Sequence, residues 1–160
     1  MHPNVERVME AARAAELEIE VERFPEGTRT AVDAARAIGC EVAQIVKSLV
    51  FVADGRAALA LVSGANRVDT GLLAHALGAS EARRADGDEA RAATGFAIGG
   101  VPPFGHATAM SVVIDRQLVA HDRVWAAAGL PDAVFGIDAP DLIRVSGGSV
   151  ADIAEDPRTV

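Results

Sequence analysis

The sequence predicts a mixed α+β fold: one compact domain over residues 1–160, with a central mixed sheet surrounded by short helices. Three observations carry this. Two nearly all-apolar runs flank Asp54-Gly55, a strong hairpin signal, so a pair of central strands is covered on both faces. Short helical segments, three of them opened by a polar cap and closed by glycine, alternate with short strands. No internal repeat, low-complexity tract or linker divides the 160 residues, and a chain that is 50% hydrophobic and 24% charged can bury a core of its own.

In order, Pro3 suits a first helical turn, and Val5, Val8, Met9 and Ala12 follow at helical spacing, so residues 3–15 form a helix. Leu17, Ile19 and Val21 alternate with glutamates, which predicts a half-exposed strand ending near Phe24. Thr30-x-x-Asp33 resembles a capping box, and its helix runs through Ala34, Ala35 and Ile38 to a stop at Gly39. Residues 44–52 form the first central strand and residues 57–63 its hairpin partner. Asp69 or Thr70 caps a helix through Leu72, Leu73, Ala76 and Leu77 that Gly78 closes. Glu81–Arg84 reads as a short edge strand, and Asp86-x-x-Glu89 opens a helix ending at Gly95. Met110–Ile114 is a buried strand; Val119–Ala126 and Ala133–Ile137 are short strands or turns. Pro140 begins a last helix carrying Leu142 and Ile143, Asp138 suits its cap, and the tail from Glu155 frays.

Composition excludes several classes. No apolar run approaches the ~20 residues of a membrane helix, and Met1-His2-Pro3 begins no signal peptide, so a cytoplasmic protein without a membrane partner is expected. The single cysteine, Cys40, allows no internal disulfide, builds no zinc site alone, and sits at a helix C-terminus where the dipole does not favour a thiolate. A net charge of −8 with no tyrosine argues against broad contact with a nucleic-acid backbone and against DNA as a partner. Any nucleic acid bound must be touched over a small part of its length, or held jointly with another protein.

The stretch Gly99-Gly100-Val101-Pro102-Pro103-Phe104-Gly105-His106 is the most unusual in the chain. Glycines allow positive φ and close approach of a ligand to bare backbone. Two prolines fix φ and remove two N–H donors, and Val101 is pushed towards an extended conformation by the proline after it. The result is a stiff loop, read either as a tight connection or as one wall of a pocket. Lys47 lies between Val46 and the apolar run Leu49–Val52, where it either snorkels at a strand end or projects a cation into a pocket to hold an oxygen. His106 suits a hydrogen bond that ties the loop more than the role of general base. His2, His75, His106 and His121 lack the spacing of a helical metal pair. Ser63-Gly64 and Ser146-Gly147-Gly148-Ser149 fit neither a nucleophile elbow nor a phosphate loop and read as turns. Without nucleophile, dyad or metal, an enzyme built this way depends on positioning and backbone groups, with no cofactor.

Lys47 and the glycine-proline loop bring a resemblance into view. The chain is similar to the YbaK-type family, the free-standing relatives of the editing domain inserted in bacterial prolyl-tRNA synthetases. The similarity runs from Val5 to Ile153 through Thr28-x-Thr30, Ala34-Ala35, Gly39, Gln44-Ile45-Val46-Lys47-Ser48-Leu49, Thr94 to Gly105, and Asp141-Leu142. It implies hydrolysis in trans of the ester joining a wrong small amino acid (Ser, Thr, Ala or Cys) to tRNA(Pro). The aminoacylated acceptor end is then the partner, with prolyl-tRNA synthetase possible as a second. The resemblance gives Lys47 contact with the terminal adenosine or ester, and gives Gly99, with Gly100, placement of the scissile carbonyl or attacking water. It implies assistance by the substrate's own 2′-hydroxyl, or by a cysteine substrate's thiol. Phe24, Thr28, Thr30, Ser48, Val101, Pro102, Pro103 and His106 complete the implied substrate-binding set. Phe24 stands where some members carry tyrosine, Ser48 where alanine-specific members carry asparagine, and the late strand lacks a polar residue found in others. These departures point towards serine or threonine. The competing expectation, from the absent general base, is a non-catalytic module binding a nucleotide or aminoacyl group in the same pocket.

Overall fold

The structure, a computed structural model, describes residues 1–25, 27–28 and 30–158. The hairpin is where the sequence places it: β2 (Val46–Ala53) turns into β3 (Arg56–Ser63) at Asp54 and Gly55, with φ of 48° and 82°. Two consecutive positive φ values match the right-handed twist of the strands they join, which is why Asp-Gly occupies this turn. β4 (Ala82–Arg84) pairs with the C-terminal end of β2, while β5 (Ser111–Asp115) and β8 (Ser149–Ala151) extend the sheet beyond β3. The order is β4-β2-β3-β5-β8, antiparallel on one side of β3 and parallel on the other.

The mixed α+β class is as the sequence predicts, but the strands divide between two sheets. β1 (Val21–Arg23), β7 (Ala133–Asp138) and β6 (Arg123–Ala127) form a separate antiparallel sheet, β1-β7-β6. An isolated parallel bridge between Ile45 and Trp125 joins it to the start of β2. The main core fills the space between, with Val46, Val50, Leu59, Leu61, Phe104, Phe135 and Leu142 all nearly or wholly buried. The opposite face of the large sheet packs Leu49, Phe51, Ala60 and Val62 against Leu73.

Each predicted helix forms, and the predicted caps at Thr30, Asp69 and Asp86 serve. α1 is Pro3–Ala14; α2, Ala31–Ile38, is capped by Thr30 and closed by Gly39. α3, Thr70–Leu77, takes Asp69 as its cap, so of the two possibilities the aspartate serves. α4, Gly87–Thr94, has the reciprocal Asp86/Glu89 box, and α5 is Ala139–Ser146. The predicted strand before Phe24 is shorter than expected. Leu17, Ile19 and Val21 do alternate with exposed glutamates, but only Val21–Arg23 meet a partner strand. Ser149, read as part of a turn, instead begins β8; Gly148 ahead of it is bare because an added Cβ would lie 2.6 Å from Ile114. Asp138 stands at the cap position of α5, but its carboxylate meets Arg123 at 2.9 Å and caps nothing. At the tail, the Glu155 N–H is held by the Arg67 carbonyl at 2.7 Å, while residues 159–160 lie outside the described residues.

Candidate functional site

One edge of β2 is left open. On that edge Ala85 N–H donates to the Val50 carbonyl at 3.0 Å, and alternation along the strand turns the main-chain N–H and C=O of Ser48 to the same side. β4 covers only Phe51–Ala53 and the Ile45–Trp125 bridge closes the other end, so no strand lies beside Ser48. A cavity of about 300 Å³ occupies this gap. Among the predicted residues, Thr28, Thr30, Lys47, Ser48, Gly99 and Val101 line it; much of the remaining wall is apolar, including Ile45, Trp125, Ala126 and Val134.

The polar groups of this wall differ in how they are occupied. Thr28 donates its hydroxyl to the Pro131 carbonyl, and Thr30 Oγ1 accepts from Asp33 N–H at 3.0 Å as the cap of α2. Ser48 Oγ has no partner, the one buried side-chain polar atom so placed among the described residues. An unpaired buried hydroxyl costs about 1–3 kcal/mol relative to a paired one, so it invites a ligand group. Gly99, at φ 92°, lines the cavity, and its N–H donates to no main-chain carbonyl among the described residues.

Lys47 is half-buried and reaches the cavity from the other face of β2, the face that carries Leu49 and Phe51. Its ammonium donates to the Asn66 carbonyl. Asn66 is itself fixed: its Nδ2 reaches Asp115 Oδ2 at 2.8 Å and Gln117 Oε1 at 3.0 Å. Asp115, 1% exposed, also accepts from the Ser63 and Gln117 main-chain N–H groups at 3.1 and 3.0 Å. Burial holds the Lys47 ammonium below its ordinary pKa; repulsion from Arg84 and Arg67 adds to this, and Asp115 opposes it.

The remaining predicted residues lie outside the cavity wall. Gly100 is pressed against the backbone of Gly129 and Leu130, where an added Cβ would sit 2.9 Å from the Gly129 carbonyl oxygen, so its bareness serves packing. Pro102 and Pro103 are buried, and Phe104 next to them meets Phe135 edge-on at 5.7 Å, so the loop turns its prolines inward. His106 Nε2 lies 2.7 Å from the Pro102 carbonyl, which ties the loop from behind. Burial pushes its pKa down, and this hydrogen bond partly offsets the shift. Phe24 is half-buried beside β1, its N–H bonded to the Asp132 carbonyl at 2.8 Å. Cys40 is half-buried, and burial raises its thiol pKa.

Sequence reasoning missed Arg84, Trp125 and Pro131, all on the wall. Arg84 had a detectable signal: a cation on an edge strand opposite an apolar central one. The described wall holds no carboxylate, imidazole or thiol, and among the described residues no group of three His, Cys, Asp or Glu could hold a metal. No helix among them is long and apolar enough to cross a membrane.

A family model described as an aminoacyl-tRNA editing domain matches residues 25–145. This chain belongs to that family. The YbaK-type resemblance is thereby upheld, and the editing domain has a near-complete structural counterpart. That counterpart is a solved protein described as a candidate trans-editing enzyme for prolyl tRNA synthetase, with TM-score 0.92, 44% identity, and coverage of 98% of this chain and 99% of that one. The proline–tRNA ligase of Acidithiobacillus ferrooxidans is 30% identical over 143 residues, 87% of this chain, and the chain spans only 23% of the ligase's length. YwhH of Bacillus subtilis, an uncharacterized protein, is 30% identical over 141 residues, which cover 87% of this chain and 89% of YwhH.

Proposed function

We propose that this editing domain hydrolyses, in trans, the ester between a small hydroxylated amino acid and the 3′ end of tRNA(Pro). The observation that carries the reading is the single cavity in which Lys47, Gly99 and the unpartnered Ser48 hydroxyl meet at an open strand edge. The amino acid enters between the sheets and the terminal adenosine remains on the Lys47 side. The reaction adds water across the ester, giving free amino acid and a free ribose hydroxyl. The described wall holds no protein base, so the attacking water passes its proton to solvent or to the substrate's own neighbouring hydroxyl. The chain's contribution is positioning and electrostatics: Lys47 favours negative charge building on the ester oxygens, and Gly99 offers a backbone N–H to the carbonyl or the water.

Selectivity follows from the wall. A pocket made for proline separates it from a smaller side chain by only ~1–3 kcal/mol per methylene, so a synthetase needs a second site that sorts differently. Here serine or threonine satisfies Ser48 Oγ, whereas alanine or proline leaves it unpaired, at a cost of about 1–3 kcal/mol. The test is a panel of tRNA(Pro) charged with Ser, Thr, Ala, Cys and Pro, with release of free amino acid measured. Fast release of Ser or Thr and slow release of Pro is expected. Binding without release of any amino acid would favour the non-catalytic module that the missing base suggests. Adding prolyl-tRNA synthetase asks whether the synthetase presents the tRNA body; tight binding of tRNA without it would count against that arrangement.

A further inference from the structure

Arg83 and Arg84 are neighbours on edge strand β4, and alternation sends them to opposite faces. Arg83 is neutralised by Glu89 through contacts of 2.9 and 2.8 Å. Arg84 takes part in no ion pair among the described residues. Its guanidinium instead lies 5.6 Å from the ring centroid of Phe51, its direct cross-strand partner, and it lines the cavity on the Lys47 side. Stacking on an aromatic ring holds the planar fork in place without using its N–H donors. Arg67 adds a third positive charge near Lys47, and its own carboxylate contact, Glu155, is 3.9 Å away and exposed. Asp115 offsets this charge only in part: it draws the Lys47 pKa up by less than either Arg84 or Arg67 pushes it down, and its oxygens are engaged by Ser63, Asn66 and Gln117. A chain of net charge −8 thus sets two cations, Lys47 and Arg84, on one side of its cavity wall, with Arg67 outside the wall but near enough to act on Lys47. Like charges repel unless an anion joins them, and phosphate is the anion that a free guanidinium fork suits best.

We propose that Arg84 is the residue that grips RNA, binding the phosphodiester on the 5′ side of the terminal adenosine, with Arg67 as an outer contact. This rests on the deacylase reading for which end of the RNA enters the cavity. It resolves the conflict between an acidic chain and a nucleic-acid ligand: one linkage is held at the lip, and the rest of the backbone is left alone.

The experiment measures binding of an uncharged RNA hairpin ending in CCA, and of the same hairpin with a neutral methylphosphonate at the last linkage. Wild type, Arg84→Gln and Arg83→Gln are compared across a salt series, with melting temperature as the control for folding. Wild type should lose roughly 10-fold in affinity when the linkage is neutralised, and Arg84→Gln should lose the same on the natural hairpin. Arg84→Gln should show no further loss on the modified hairpin, and its log-log salt slope should fall by about one. Arg83→Gln should match wild type. Unchanged wild-type affinity for the methylphosphonate hairpin overturns the assignment even if Arg84→Gln fails to fold. So does full affinity in a folded Arg84→Gln. Amino acid release by wild type reads the deacylase proposal separately: binding through Arg84 without release would sink that proposal and keep this one.

Discussion

The two sides of the open β2 edge differ in their chemistry. On the inner side, between the sheets, Val46, Val50, Val101 and Val134 surround one hydroxyl that lacks a partner. On the outer side Lys47 and Arg84 share a face, with Arg67 near enough to lower the Lys47 pKa. A small neutral group suits the first environment and an anionic one the second, and an aminoacyl ester on RNA has one of each. A single strand separates them because successive side chains leave it on opposite faces. On the proposed function, the residue that distinguishes a substrate's side chain and the one that holds its nucleotide are therefore adjacent in sequence, Ser48 beside Lys47.

The largest effect that would break this division comes from Lys47→Ala. Ester hydrolysis should drop by ~100-fold or more in kcat/KM, the scale of losing one charge-stabilising donor, with the melting temperature nearly unchanged. Steady-state assays on Ser-tRNA(Pro) beside a thermal melt would check both halves, and retained activity would remove the outer side from the chemistry. Ser48→Ala sharpens the contrast. It should cost about 10-fold against serine and threonine esters, the worth of one hydrogen bond, and leave the alanine ester close to wild type. Equal losses on all three esters would mean that the hydroxyl does not read the side chain.

Smaller effects concern the frame. Thr30→Ala removes the α2 cap at the inner wall and should cost ~1 kcal/mol, about 2–4 °C in melting temperature, without changing the ranking of substrates. His106 gives a pH signature. Its folded pKa lies below the usual 6.5, so the unfolded chain takes up the proton first as pH falls. This contribution is complete above about pH 6.5 and is lost as pH drops towards the folded value. Denaturant melts between pH 7.5 and 5 should show a shallower decline in His106→Gln than in wild type, whereas a steeper one would contradict the assignment.

What the sequence made legible was local. The Asp54-Gly55 turn, the caps at Thr30, Asp69 and Asp86, and the glycine stops each depend on a few adjacent residues, and all form as expected. The split into two sheets was not legible, because it depends on which distant strand each segment meets. Trp125 bridging Ile45 and Ser149 joining the edge beside β5 are pairings across long stretches of chain. The glycine-proline loop shows both sides of this limit. Its stiffness follows from composition, but the inward turn of Pro102 and Pro103 follows from Phe104 packing on Phe135 and Gly100 on Gly129. Arg84 gave half of its signal locally, as a cation on a predicted edge strand; the other half lies in Phe51, distant along the chain and directly opposite in the sheet.

A row of uncovered peptide groups is ordinarily hazardous, since it can template the addition of a strand from another copy of the same protein. Here the exposed segment is interrupted at both ends, by β4 and by the Ile45–Trp125 bridge, and it lies at the bottom of a hollow. An incoming extended chain would find no length along which to zip. The same gap that is proposed to admit a tRNA terminus thus guards against self-assembly.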